Sequence, residues 1–132
     1  MNDVTNLRDT SVPKSDQLNA DDLIAGSITI TVTGVTRGNN ESPVIIHYQN
    51  DNGRPYKPCK TMRKLIVFAW GEDGNAWVGK GMVLYNDPSV KWAGKAVGGI
   101  RISHLSHIPK PMEVSLAASR NSKALYRVAI LQ

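Results

Sequence analysis

The chain has one cysteine and few aromatics: one phenylalanine, three tryptophans and four tyrosines in 132 residues. A lone Cys59 excludes an internal disulfide framework and fits a reducing compartment. No apolar run approaches the roughly 20 residues that a membrane helix needs. Met1 to Ala25 is polar and acidic, unlike a secretory signal, so a cytoplasmic setting is expected. A phosphate loop, a dinucleotide fingerprint and a Gly-x-Ser-x-Gly elbow are all absent. The stretch from Trp77 to Ser103 has no close-set acids, bases or nucleophiles of the kind enzyme chemistry requires. Neither an enzyme nor a cofactor is expected.

What is present is positive charge, unevenly spread. The net charge is +5. Residues 1–25 carry two basic side chains against five acidic ones, and residues 26–132 carry fourteen against six. An acidic start on a strongly basic body points to an anionic partner, nucleic acid before acidic membrane. Residues 1–26 read as a flexible acidic N-terminal arm, with Asp21 to Gly26 available for one helical turn. Residues 27–132 read as a single folded domain, long enough to bury a core without staples.

The pattern inside that domain is mainly β. Ser27 to Thr33 alternates Ile28, Ile30 and Val32 with threonines, the mark of a half-buried strand. Gly34 interrupts the alternation, which predicts a bulge. Pro43 to Tyr48 completes a hairpin, and Arg54 to Pro58 is held extended by its prolines as a short edge strand. Lys60 to Trp70 carries Met62, Leu65, Ile66, Ala69 and Trp70 at helical spacing, with Gly71 at the stop. Leu65 to Phe68 has strand propensity, yet stripe and stop agree on a helix. Strands follow at Lys80–Tyr85 and Gly99–His104, with a small hairpin around Ala93-Gly94 between them. A closing hairpin joins Met112–Ala118 to Ala124–Leu131. Strands, one short helix and a terminal hairpin in this order fit a single curled antiparallel sheet, or an oligonucleotide-binding-fold-like barrel.

The stretch from Trp77 to Ser103 interleaves aromatics, lysines and glycines on strands. A sheet that offers rings to bases and cations to phosphates is how proteins hold single strands. The stretch Lys60 to Leu65, then Trp70-Gly71-Glu72-Asp73, Trp77-Val78-Gly79-Lys80, Leu84-Tyr85, Val90-Lys91, Gly94-Lys95 and Gly99-Ile100-Arg101-Ile102, resembles small phage and prophage proteins that are single-stranded-DNA-binding-like. The likeness covers residues 28–104. It implies an oligonucleotide-binding fold, single-stranded DNA as partner, and a role in phage replication or recombination inside a bacterial cell. His104-Leu105-Ser106-His107 lies outside the shared pattern.

Lys57, Lys80, Lys91, Lys95 and Arg101 are the candidate phosphate-holding residues, and Tyr56, Tyr85 and Trp92 the candidate base-stacking ones. Trp70, on the helix stripe, and Trp77, just after a turn, read as core. Lys60, Arg63 and Lys64 share a helix face, which is either phosphate-tracking or simply solvated. His104, His107 and His47 with Cys59 lack the paired spacing of a zinc site, so no metal is expected. Two other readings remain open: a phage module that docks on a host defence or replication protein, and a structural virion component. Self-association through the Arg54–Pro58 edge is also open.

Overall fold

A computed structural model describes residues 16–92, 94–119 and 122–132. The alternation from Ile28 builds β1 (Ile28–Arg37), which turns back into β2 (Val44–Tyr48). The two pair antiparallel from Val32↔Tyr48 to Arg37↔Val44, and the register slips between Val32 and Gly34. That bulge, at the expected glycine, also divides the labour of the strand. Residues up to Thr31 pair with β3 (Gly81–Asp87) instead, from Ile28↔Leu84 to Thr31↔Gly81. One bent strand serving two neighbours is what curls the sheet.

Between β2 and β3 the chain forms α1 (Lys60–Trp70), over the span its stripe predicts. Gly71 stops it at φ 90°, a left-handed value that favours glycine, and its N–H closes the last turn on the Val67 carbonyl at 2.8 Å. A short hairpin, β4 (Lys91–Trp92) and β5 (Lys95–Ala96), rises between β3 and β6 (Gly99–Leu105). The terminal hairpin is β7 (Met112–Ser119) with β8 (Ser122–Ile130). The six long strands make one sheet in the order β2-β1-β3-β6-β8-β7.

The fold is therefore mainly β, a curled sheet with one helix. One join departs from the antiparallel expectation: β6 and β8 run parallel, touching only at His104↔Ala129 and Leu105↔Ile130. The reason is connectivity. The closing hairpin leaves β6 through Ser106 to Pro111, runs out along β7 and returns along β8 in the direction of β6. The sheet also stays open, since its edge strands β2 and β7 are not neighbours.

The core is a single cluster. Ile30, Val32, Met82, Leu84, Ile102 and Leu105 from the sheet meet Met62, Leu65, Ile66 and Trp70 from α1. Each such side chain contributes roughly 1.5–3 kcal/mol on burial. Two expectations are corrected here. Residues 16–26 are not a free arm: Leu18 and Leu23 are buried in the core, and Ala20–Leu23 forms a 3-10 turn. The segment is pinned by the Leu18 amide on the Pro55 carbonyl (2.9 Å), by Asn86 Nδ2 on the Ala20 carbonyl (2.9 Å) and by Asp22 on Arg54 (2.6 Å). Residues 1–15 of the expected arm lie outside the described residues. Tyr56 is not an exposed ring. It exchanges both backbone hydrogen bonds with Ile46, at 2.8 and 2.9 Å, and its side chain is only 1% exposed. A ring so enclosed has no face to offer a base.

Candidate nucleic-acid interface

The eight residues singled out in the sequence separate onto two ends of the sheet. Lys80 stands alone at one end, where α1 finishes and β3 begins. Its ammonium lies 5.6 Å from the centre of the Trp70 ring, a cation–π distance. Trp70 gives its indole N–H to the Ser106 carbonyl at 2.8 Å, and Trp77 gives its own to Gly71 at 3.0 Å. The two rings meet at 6.3 Å, tilted by 59°. Both tryptophans are core, as their positions predict.

The other end collects the remaining positions. Tyr85 on β3 and Arg101 on β6 are direct cross-strand partners, the closest side-chain relation that a sheet provides. Tyr85 keeps 36% of its surface exposed. Partial burial, and then the Asp87 carboxylate, push its phenol above the usual range, so the ring stays neutral. Lys91 and Lys95 are exposed on the β4–β5 hairpin that joins those same two strands. Trp92 pairs with Lys95 through the backbone, and its side chain lies outside the described residues.

The hairpin is held at its base by the Val97 and Gly98 amides on the Val90 carbonyl, at 2.9 and 3.1 Å. Gly98 has φ 81°, and a Cβ there would stand 2.9 Å from Asn86 Oδ1. Glycine is what lets the hairpin seat this closely.

Lys57 and the start of α1 adjoin Arg101. The Arg101 Nη1 lies 3.5 Å from Cys59 Sγ and 3.3 Å from the Ile100 carbonyl. Lys57 lines the same hollow as Arg101 and pairs with Asp16 at 3.6 Å. Lys60 and Lys64 are exposed on the first turns of α1, while Arg63 turns back to the Pro58 carbonyl at 3.0 Å. Besides Asp16, a second carboxylate acts on these cations. Asp87 is held below the usual carboxylate range, first by the Ser89 hydroxyl, with help from the Ser89 amide and Arg101.

The structure thus pairs Tyr85 with Arg101, sets Lys57 on the same hollow as Arg101, and carries Lys91, Lys95 and the backbone of Trp92 on the hairpin that joins the strands of Tyr85 and Arg101. It leaves out Lys80, about 16 Å from Tyr85 at 3.3 Å per strand residue, and it encloses Tyr56. It adds what the sequence reading missed: Cys59 and residues 17–20, which share the hollow with Arg101. The usable signal was Pro58-Cys59 directly ahead of the helix stripe, a helix-start position. His104 and His107 each pair with the preceding serine, at 2.7 and 2.6 Å. Among the described residues no three His, Cys, Asp or Glu side chains gather as a metal-ligand set, and no helix is long and apolar enough to cross a membrane. Comparison with protein-family models, with curated proteins and with solved structures finds no match.

Proposed function

We infer that this protein is a non-enzymatic single-stranded-DNA-binding protein of phage or prophage type, active in replication or recombination in the cytoplasm of a bacterial cell. The observation that carries the reading is the Tyr85–Arg101 cross-strand pair, on two strands joined by a hairpin that bears Lys91 and Lys95. A partly exposed ring and an arginine, paired across neighbouring strands, supply a stacking surface and a phosphate contact. The lysines extend the cationic path along the strand's backbone.

In this reading Tyr85, with Trp92, stacks bases, and Lys57, Lys91, Lys95 and Arg101 hold phosphates. About four phosphate contacts on a single strand give a slope near −2.8 for log affinity against log salt. The test is fluorescence anisotropy of a labelled single-stranded oligonucleotide at several salt concentrations, beside a duplex of the same sequence. Binding that prefers the single strand, with that slope, is the expected result. No binding even at low salt overturns the reading and favours a protein-docking module, to be sought by pull-down from host extract.

A further inference from the structure

Beside the Tyr85–Arg101 pair lies a hollow of about 300 Å³, lined by residues 17–20 and by Tyr56, Lys57, Cys59, Val90 and Arg101 among others. That volume is at the small end for ligand sites. The lining is rich in hydrogen-bond donors. Among the described residues the buried Tyr56 hydroxyl has no hydrogen-bond partner, an arrangement that proteins rarely tolerate. It lies near enough to Cys59 and Arg101 for both to act on its ionisation, and burial keeps it protonated, a donor. Arg101 makes both of its contacts through Nη1, so the rest of its planar fork makes no other hydrogen bond among the described residues.

Cys59 is the N-cap of α1, and its side chain accepts no hydrogen bond from the first-turn amides. Those amides, at the positive end of an 11-residue helix, favour an anion. Two carboxylates compete for the cations: Asp16 on Lys57 at 3.6 Å, and Asp87, on whose ionisation Arg101 acts. A metal cation is disfavoured by Arg101 and Lys57. An apolar ligand leaves the Tyr56 hydroxyl and the guanidinium unmatched.

We propose that this hollow is a phosphoryl-binding site, in which the Tyr56 hydroxyl, the Arg101 guanidinium and the Lys57 ammonium grip the oxygens of a phosphate monoester at the start of α1. The site goes beyond strand binding and does not rest on it. The phosphoryl group is that of a free nucleotide or of a strand's 5′ end, and the planar fork of Arg101 suits its oxygens.

Cys59 is the only cysteine of the chain and is exposed at the site, so its alkylation by neutral iodoacetamide reports occupancy. The rate is measured on the full chain at constant ionic strength. The probes are inorganic phosphate, thymidine 5′-monophosphate, and a short oligonucleotide with or without a 5′-phosphate. Phosphate at four times its Kd slows the reaction about fivefold, in proportion to the free fraction. Tyr56→Phe, which removes only the hydroxyl, and Arg101→Gln each raise the half-protecting concentration about tenfold, as expected for a lost hydrogen bond to a charged group. Lys110→Ala, a charge removed elsewhere, leaves it unchanged.

Should Tyr56→Phe misfold, Cys59 reacts at the denatured rate without phosphate, and Arg101→Gln carries the test. Protection by the 5′-phosphorylated strand but not its 5′-hydroxyl twin assigns the site to strand ends. Protection by the mononucleotide but neither strand assigns it to free nucleotides. No slowing by phosphate or mononucleotide, or equal protection of Tyr56→Phe, Arg101→Gln and the parent protein, overturns the proposal. So does equal protection by both strands with none by phosphate or mononucleotide, because the strand then merely covers Cys59.

Discussion

The two ends of the sheet use the same kinds of residue to opposite effect. At the Trp70 end, aromatic and cation are spent inside the fold: both indole N–H groups reach carbonyls, and Lys80 lies over the Trp70 ring. At the Tyr85 end they are left facing outward. Tyr85 is partly exposed, Lys91 and Lys95 are exposed on their hairpin, and the buried Tyr56 hydroxyl has no hydrogen-bond partner among the described residues. A tryptophan or lysine on a strand therefore says little by itself. What separates the two ends is exposure: Trp70 and Trp77 are 7% and 3% exposed, and Tyr85 36%.

The contrast breaks most visibly at Trp70. Trp70→Ala removes a ring that is 7% exposed together with its bond to Ser106. It is expected to cost about 3–5 kcal/mol in urea unfolding, as large-to-small changes of buried aromatics do. At the other end the expected loss is in binding. Tyr85→Ala lowers single-strand affinity by about 1–3 kcal/mol, one stacked base, with Tyr85→Phe close to the parent protein. Thermal unfolding beside anisotropy separates the two effects.

The double change Lys91→Ala and Lys95→Ala makes the salt slope shallower by about 1.4, two phosphate contacts on a single strand. Lys80→Ala sharpens the comparison from the other side. It costs about 0.5–1 kcal/mol of stability, the scale of an exposed cation–π contact, and leaves oligonucleotide affinity where it was.

The smallest effect is one of pH. Asp87 titrates below its ordinary value of 3.8, chiefly through the Ser89 hydroxyl. A carboxylate depressed in the folded state contributes stability above its unfolded pKa and loses it as pH falls through the folded one. Ser89→Ala is expected to move the Asp87 carboxyl resonance midpoint upward in an NMR titration and to lessen the drop in stability on acidification.

Local pattern was enough for the β1–β2 hairpin with its glycine bulge, for α1 to the residue, and for the core placement of Trp70 and Trp77. Each depends on neighbours within a few positions. Tyr56 shows where that stops. Flanked by Arg54-Pro55 and Lys57-Pro58 it reads as exposed, yet its pairing with Ile46, ten residues earlier in the chain, turns the ring inward. The parallel β6–β8 join likewise depends on how two locally legible hairpins dock. Leu18 and Leu23 sit in a polar, acidic segment whose composition hides its two core anchors. Of the candidate interface, the charges were legible and their grouping was not: only the fold sets Lys80 apart from Lys91, Lys95 and Arg101.

The most direct test of a binding face confined to the Tyr85 end is an amide NMR titration of the labelled protein with a single-stranded oligonucleotide. The expected result is shifts clustered at residues 85–101 and 57–64, with Trp70, Trp77, Lys80 and Ser106 unmoved. Shifts centred on Trp77, Lys80 and Ser106, with Tyr85 and Arg101 unmoved, would contradict it.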